Sequence, residues 1–296
     1  MSVPQPFPYQ GSKRKIAQAI ISLFPDQVDT LIEPFAGSGA VSIAAATHDK
    51  TRRFVLNDIN APLMALWKKI LTDSESLAKQ YESLWFAQQN QESDYYFYIR
   101  SEFNKTHQPH YLLYLMARCV KAAIRYNANG EFNQSPDHRR QGMHPATMRK
   151  NILLTAKLLG GKTMLLSLDY REALAQVQPL DIVYLDPPYQ GVCQKQDPRY
   201  VQGLSFESFV ETLHDLNSRS ISYIVSYDGR TGHKTYGQTL PESLGLSYLE
   251  INAGRSSQAT LLGRDSVTFE SLYLSPALSV RIKHKSAAVQ QLALWA

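Results

Sequence analysis

Asp181-Ile-Val-Tyr-Leu185 runs directly into Asp186-Pro187-Pro188-Tyr189, an apolar run that ends in a rigid polar turn. Such a run, bounded by turn residues, reads as a buried strand. The two prolines fix φ and close it. Working upstream, Thr30-Leu-Ile32 is another short apolar run and leads into Glu33-Pro-Phe-Ala-Gly37-Ser-Gly39. A third, Phe54-Val-Leu56, leads into Asn57-Asp58. A glycine turn, an acid at the next strand end and a strand-end Asp-Pro-Pro-Tyr belong together chemically, although each alone is an ordinary turn.

Further strands are expected at Met164-Leu-Leu-Ser-Leu168, Ile221-Ser-Tyr-Ile-Val-Ser226, Leu246-Ser-Tyr-Leu-Glu-Ile251 and Phe269-Glu-Ser-Leu-Tyr-Leu274. Helical spacing of apolar residues predicts helices over 40–47, 62–71, 74–88, 147–159 and 205–219. Strand–helix alternation of this kind makes an α/β fold with a mostly parallel, doubly wound sheet. The last two strand candidates lack an intervening helix, which suggests an antiparallel hairpin at one end of the sheet.

The alternation breaks between the second and third strands. That stretch carries helical patterns at Tyr95-Tyr-Phe-Tyr-Ile-Arg-Ser-Glu-Phe103 and Tyr111-Leu-Leu-Tyr-Leu-Met116, then a polar loop from Asn127 to about Gly142. It reads as an inserted, mainly helical domain over residues 61–150. Residues 1–60 and 151–280 then form the sheet domain, and 281–296 a tail.

The composition is ordinary for a globular protein: 296 residues, 44% hydrophobic and 19% charged. No stretch approaches the roughly 18 consecutive apolar residues of a membrane span. The start, Met-Ser-Val-Pro-Gln-Pro, has no apolar signal core. Cys119 and Cys193 form neither a disulfide framework nor a zinc set, so both are expected as free thiols and no metal is expected. These features predict a cytoplasmic protein. A net charge of +5 permits an anionic partner.

Gly37 and Gly39 allow a tight turn in which backbone N–H groups approach a ligand without Cβ interference. The pattern Phe35-Ala-Gly-Ser-Gly39 is not the longer G-x-G-x-x-G of dinucleotide sites, so the turn points to S-adenosylmethionine. Asp58 can accept from both ribose hydroxyls, or cap the helix that begins near Ala61. Asp169 can accept from an adenine amine, or cap a helix over 171–176. Tyr9-Gln-Gly-Ser-Lys13 puts an aromatic and a cation beside a flexible turn. Lys13 can meet the cofactor carboxylate, or belong to a solvated basic start, Lys13-Arg-Lys15.

The Asp-Pro-Pro-Tyr turn suits methyl transfer to the exocyclic amine of a base. That amine is a poor nucleophile because its lone pair is delocalised, and its pKa is too high for a general base to act first. Two acceptors, the Asp186 carboxylate and the Pro187 carbonyl, can instead hold both N–H bonds and draw the nitrogen toward tetrahedral geometry. Tyr189 can stack on the base. A base in duplex DNA must be flipped out to reach such a turn, at a cost of about a few kcal/mol.

With these elements in this order, the chain resembles the Dam-like N6-adenine DNA methyltransferases, the D12 or α class. The resemblance rests on Tyr9-Gln-Gly-Ser-Lys13, Glu33-Pro-Phe-Ala-Gly-Ser-Gly39, Leu56-Asn-Asp-Ile-Asn60, the insertion and Asp186-Pro-Pro-Tyr189, and spans nearly the whole chain. Within the insertion, Phe97-Tyr-Ile-Arg-Ser-Glu-Phe-Asn104 and Ile124-Arg-Tyr-Asn-Ala-Asn-Gly-Glu-Phe-Asn133 are similar to target-recognition segments. Gly254-Arg-Ser-Ser257 before Glu270-Ser-Leu-Tyr273 is similar to the family's C-terminal end.

The resemblance implies a doubly wound S-adenosylmethionine-dependent sheet acting on double-stranded DNA. The cofactor residues it implies are Tyr9, Lys13, Glu33, Phe35, Gly37, Gly39, Asp58, Asp169 and Asp186. The catalytic ones are Asp186, Pro187 and Tyr189. For DNA it implies Lys121, Arg125, Asn127, Arg139 and Arg140, with Arg125 aligned to an arginine that reads a guanine in members that methylate GATC. Arg118, Arg149, Lys150, Arg281, Lys283 and Lys285 are further basic candidates for phosphates. Two departures stand out: the N-terminal motif is more usually W-A-G-G-K, and the GATC readers carry Y-N-G-L-C where this chain has Val120-Lys-Ala-Ala-Ile124.

The expected function is therefore methylation of adenine N6 at a specific duplex site, by a monomer, as a solitary methylase or beside a restriction endonuclease. Cytosine-N4 methylation is the nearest enzymatic alternative, although those enzymes usually carry S-P-P-Y. Enzymes acting on protein glutamine or RNA more often carry Asn at the first position of the turn. A catalytically silent DNA-binding module is the alternative from another class, and it predicts damage to the glycine turn or to Asp186.

Overall fold

The computed structural model describes residues 3–90, 92–188, 204–231, 234–236, 239–255 and 267–283. Its strands are β1 (Thr30–Glu33), β2 (Arg53–Asn57), β3 (Thr163–Leu166), β4 (Ile182–Leu185), β5 (Ser222–Thr231), β6 (Lys234–Tyr236), β7 (Ser247–Arg255) and β8 (Val267–Leu274). Its helices are α1 (Ala17–Ser22), α2 (Ala40–Thr47), α3 (Ala61–Thr72), α4 (Ser74–Ala87), α5 (Glu92–Thr106), α6 (Pro109–Arg118), α7 (Pro145–Leu159), α8 (Tyr170–Leu174) and α9 (Phe206–Ser218). Residues 276–283 are also helical.

The strands form one sheet in the order β3-β2-β1-β4-β5-β8-β7, with β6 paired to the far part of β5. Strands β1 to β5 run parallel, and β8 lies antiparallel between β5 and β7. The expected doubly wound α/β sheet is thus present, as is the antiparallel hairpin, formed by β7 and β8. From β1 the chain winds outward to β3 and then returns to β4 on the other side of β1. The carboxyl ends of β1 and β4 consequently face a crevice where the winding reverses, which is where open α/β sheets bind ligands.

The short parallel strands are apolar throughout because both faces are covered. Alternate residues feed two cores. Leu31, Phe54, Leu56, Ile182, Tyr184 and Ile224 pack against α1, α2, α3 and α7. Ile32, Val183, Leu185, Tyr223 and Val225 pack on the opposite face against α8 and α9. The first core continues into the insertion through Tyr96, Ile99 and Phe103 of α5 and Leu112 to Met116 of α6. The helical patterns read at 95–103 and 111–116 lie within α5 and α6.

Some elements differ from the sequence reading. Strand β5 runs on to Thr231 because a bulge between Ser226 and Gly229 absorbs the Asp228-Gly229 turn signal without ending the strand. Helix α1 and strand β6 escape periodicity analysis because six and three residues are too few to show a period. Among the basic candidates, Arg281 serves the fold. It donates to the carbonyls of Pro179 and Asp181 at 3.1 and 3.2 Å and to Ser222 Oγ at 2.8 Å, and also to the carbonyl of Gln27. These groups lie at the amino ends of β4 and β5, the edge of the sheet away from the crevice. Cys193, Tyr189, Ser256, Ser257, Lys285 and residues 284–296 lie outside the described residues. Cys119 is buried and free.

Candidate active site

Glu33 closes β1 and is buried, with Oε1 accepting the Ser42 N–H at 2.7 Å in the first turn of α2. Between them the chain turns through Gly37 at φ +47° and Gly39 at φ +56°. Both positions are also sterically closed to a side chain. A Cβ on Gly37 would lie 2.9 Å from the Tyr9 ring, and one on Gly39 would lie 2.7 Å from the Trp67 ring. The turn is gripped through its polar groups as well: the Gly37 N–H donates to Asp58 Oδ2 at 3.1 Å, and the Gly37 carbonyl accepts from Trp67 Nε1 at 3.0 Å. A further tie comes from Ser38 Oγ, 2.8 Å from Ser12 Oγ in the N-terminal segment.

At the end of β2, the buried Asn57 side chain spans three strand ends. Its Nδ2 donates to the carbonyls of Pro34 and Leu168, each at 3.0 Å, and its Oδ1 accepts the Leu168 N–H at 2.9 Å. Asp58 follows, accepting the Asn60 N–H at 3.0 Å on its second oxygen. The cap of α3 is Asn60, whose Oδ1 accepts the Leu63 N–H at 3.2 Å. The capping role considered for Asp58 therefore belongs to Asn60. Burial pushes the Asp58 carboxyl above the ordinary aspartate range, opposed by its two backbone N–H donors.

Asp169 caps α8, accepting the Arg171 N–H at 2.9 Å, and pairs with Arg171 Nε at 2.9 Å. The hydrogen bonds from Arg171 hold its carboxyl below the usual range. Of the two roles considered for Asp169, the cap is present in the fold. Phe35 stacks on Tyr170, with ring centroids 5.1 Å apart.

Asp186 follows β4 and its side chain is 21% exposed. Its Oδ1 lies 2.9 Å from Lys13 Nζ, and the same ammonium lies 3.8 Å from Glu270 Oε2 on β8. Lys13 is 7% exposed, so it is not the solvated cation of a basic tail. Desolvation lifts Asp186 to about 6, with Lys13 opposing the rise and Glu270 adding to it. Glu33 is lifted to about 7, again mainly by burial.

These residues meet in one cavity of about 340 Å³. Its lining includes Tyr9, Lys13, Glu33, Phe35, Gly37, Asp58, Asp169, Asp186 and Pro187, contributed by the ends of β1, β2, β3 and β4. Gly39 is absent from the wall and sits behind it against Trp67. Tyr189 lies outside the described residues. A second cavity of about 520 Å³ adjoins, sharing Tyr9, Gln10, Asp58 and Ile59 and walled, apart from Asn60, by the insertion, including Ala122, Ile124 and Tyr126.

The five residues marked for DNA are differently placed. Lys121 and Arg125 are exposed, and among the described residues neither forms an ion pair. Lys121 and Ala122 both have positive φ, +59° and +52°, in a turn whose Ala122 carbonyl accepts the Gln10 N–H at 3.0 Å. Asn127 is turned inward on its own loop, accepting from the N–H groups of Asn129 and Glu131 and donating to Glu131 Oε2. Arg139 and Arg140 flank the buried carboxylate of Asp137 at 3.1 and 3.3 Å. Arg149 pairs with Glu75 at 2.5 Å.

Residues 9–257, from the N-terminal motif to beyond β7, match the family model of the D12 class N6 adenine-specific DNA methyltransferases. The chain belongs to this family. The retron Ec67 DNA adenine methylase of Escherichia coli is 35% identical over 167 residues, 54% of this chain and 55% of that protein. The DNA adenine methylase of Haemophilus influenzae is 26% identical over 191 residues, 63% of this chain and 64% of that protein. The type II methyltransferase M.FokI of Planomicrobium okeanokoites is 26% identical over 193 residues, 63% of this chain and 29% of that protein. The matched region thus spans less than two thirds of the length of these curated relatives.

In this D12 class chain, Trp67 at the site gave no motif signal and reads as one more apolar position on the α3 stripe. The hint in the sequence was its indole N–H, which must be satisfied when buried. Asn57 and Glu270 stand in stretches that carry the resemblance, but nothing local gives their side chains a role.

Proposed function

We propose that this chain transfers a methyl group from S-adenosylmethionine to the N6 amine of an adenine flipped out of duplex DNA. The observation that carries the reading is the meeting of Asp58 and Asp186 in one cavity across the switch point. One acid suits a ribose at the end of β2, and the other suits an amine at the end of β4. The donor set fits the cofactor: Asp58 is buried and pre-positioned by two N–H bonds, Ile59 exposes an apolar face beside it, and Phe35 and Tyr170 add aromatic walls. When bound, S-adenosylmethionine supplies an electrophilic methyl on a sulfonium.

The chain's residues then act by positioning and electrostatics. Asp186 and the Pro187 carbonyl accept the two amine N–H bonds, and the X-Pro-Pro turn holds those acceptors fixed. Lys13 engages Oδ1 of Asp186 at 2.9 Å. Holding the amine in line with the methyl supplies much of the remaining rate. Tyr189 is assigned to stacking on the base.

Residues 61–150 are assigned to target recognition, residues 1–60 and 151–280 to catalysis, and 281–296 to a tail. This division is one of roles, because α3, α5 and α6 share a core with the sheet. Lys121 and Arg125 are the exposed cations best suited to DNA, with phosphate contacts giving affinity and Arg125 giving base readout. Arg139 and Arg140, paired with Asp137 but exposed, are further phosphate contacts in this reading, and Asn127 shapes the loop beside Arg125 from which the DNA is approached. The enzyme is taken to act on double-stranded DNA as a cytoplasmic monomer, solitary or with a separate cognate endonuclease. Among the described residues no helix is long and apolar enough to cross a membrane.

The test is single-molecule sequencing of DNA from a methylation-free host expressing this chain. N6-methyladenine at one short motif is the expected result. N4-methylcytosine would replace the substrate, and unmodified DNA in the presence of folded protein would overturn the reading.

A further inference from the structure

We propose, resting on the methyl-transfer reading above and on Lys121 as a DNA contact, that Gln10 is a positioning residue that ties DNA reading to the methyl-transfer turn. The Ser12 N–H donates to the Tyr9 carbonyl at 3.3 Å across Gly11, which has φ +84°. A bond of this span with a left-handed glycine in third place is a type II turn, and Gln10 holds its second place. The residues of this turn reach different parts of the site. The Tyr9 ring lies against Gly37, and Ser12 Oγ is 2.8 Å from Ser38 Oγ on the same glycine turn. Lys13, the next residue, reaches Asp186 Oδ1 at 2.9 Å. The Gln10 N–H is directed instead to the insertion, where it donates to the Ala122 carbonyl at 3.0 Å.

That carbonyl belongs to a strained turn. Lys121 and Ala122 are both left-handed, at φ +59° and +52°, although neither is glycine. Such residues persist only where their surroundings hold them, and strain of this kind collects at binding sites and switches. Here the Val120 N–H donates to the Ser135 carbonyl at 3.0 Å, and Gln134 Nε2 donates to the Val120 carbonyl at 3.1 Å. Ala122 is buried, whereas Lys121 and Arg125 to either side of it are exposed. A duplex that engages those two cations therefore bears on a turn fastened to the N-terminal segment. A base sequence that settles the Lys121–Ala122 turn also settles Tyr9, Ser12 and Lys13, and through them the glycine turn and Asp186. A wrong sequence binds without that gain. This is induced fit, in which the binding energy of the correct substrate assembles the catalytic groups.

Proline is favoured in the second place of a type II turn. Gln10→Pro therefore keeps the turn, deletes the N–H and sets a ring carbon against the Ala122 carbonyl. Gln10→Ala, which loses the same side chain and keeps the N–H, is the reference. Both are compared in single-turnover methyl transfer at saturating DNA and S-adenosylmethionine. The substrates are the duplex motif that the wild type methylates and the same duplex changed at one base pair, with DNA and cofactor affinities measured separately. Relative to Gln10→Ala, Gln10→Pro should slow transfer on the motif about tenfold, near the worth of one backbone hydrogen bond. Transfer on the changed duplex should slow far less, so the ratio of the two rates falls. Weaker DNA or cofactor binding with an unchanged rate ratio at saturation would make the bond a structural tie and overturn the inference. If Gln10→Pro does not fold, an α-hydroxy acid at position 10, with an ester oxygen in place of the N–H and no ring, is held to the same outcomes. A wild type that transfers no methyl group to DNA would instead overturn the proposed function itself.

Discussion

The indole N–H of Trp67 donates to the carbonyl oxygen of Gly37 at 3.0 Å, and the face of the same ring closes the space beside Gly39. One side chain on α3 thereby supports both glycines of the turn that faces the cavity. The turn's other polar group, the Gly37 N–H, is held by Asp58. The turn, with both glycines at positive φ, is held between an indole behind it and a carboxylate in front.

Trp67→Phe should keep most of the packing but remove the donor, leaving a buried carbonyl unsatisfied at a cost of about 1–3 kcal/mol. Cofactor affinity should fall roughly tenfold or more, since a change of 1.4 kcal/mol is tenfold. Thermal unfolding together with calorimetric titration of S-adenosylmethionine checks both, and an unchanged affinity would confine Trp67 to the core.

Gly39→Ala meets two obstacles, a left-handed backbone and an indole 2.7 Å from the new Cβ. The backbone cost is about 1–2 kcal/mol and the overpacking about 1–3 kcal/mol. The variant should be less stable and bind the cofactor weakly. Partial rescue is expected in Gly39→Ala/Trp67→Leu, which reopens the space, and chemical denaturation of the single and double variants measures the coupling.

Asp186 must be ionised to accept the amine N–H bonds, and its carboxyl sits at about 6 rather than in the ordinary aspartate range. Methyl transfer should therefore decline as pH falls through about 6, with a single-proton dependence. Asp186→Asn should abolish transfer while DNA binding persists. A rate that stays flat down to pH 5 would exclude Asp186 as the essential acceptor.

Glu33 tests stability rather than rate. Burial raises it from 4.5 to about 7, so between those values the folded chain holds a proton that the unfolded chain has released. Stability then falls as pH rises through that window, by an amount on the order of 3 kcal/mol. Glu33→Gln, which can still accept the Ser42 N–H, should unfold at a higher temperature than wild type at pH 8 but not at pH 5. Scanning calorimetry at the two pH values decides it.

Arg125→Ala should weaken specific DNA binding by about 1–3 kcal/mol and relax one position of the methylated motif. Lys121→Ala should weaken binding to all sequences alike and lower its salt dependence. Motif sequencing and salt titrations of both variants separate the two roles. Identical behaviour of the two would remove Arg125 from base readout.

The strand-end turns were legible because their residues act locally. Gly37 and Gly39 permit positive φ wherever they stand, and Pro187 and Pro188 set φ without help from neighbours. The strands β1, β2 and β4 were legible for a related reason, since burial on both faces leaves an unbroken apolar run. Asp169 carried two readings that spacing could not separate, and the Arg171 N–H bond shows that the cap is made. Arg139 and Arg140 read as a basic patch, yet the buried Asp137 between them is what they meet. A one-dimensional charge count is blind to which carboxylate a folded loop brings alongside.

From the sequence alone came the α/β class, the inserted helices, and the order of glycine turn, acid and Asp-Pro-Pro-Tyr that marks the D12 family. These are properties of contiguous residues and of conformations each residue type prefers. Only the tertiary structure decided that Lys13 from the N-terminal segment, Asp186 after β4 and Glu270 on β8 form one charged cluster, that Trp67 stands behind the glycine turn, and that Asn60 rather than Asp58 caps α3. Those relationships depend on the crossover at β1 and β4 and on the antiparallel placement of β8. The sheet's hydrogen bonding and the two cores it divides set those contacts, across separations that no local preference spans.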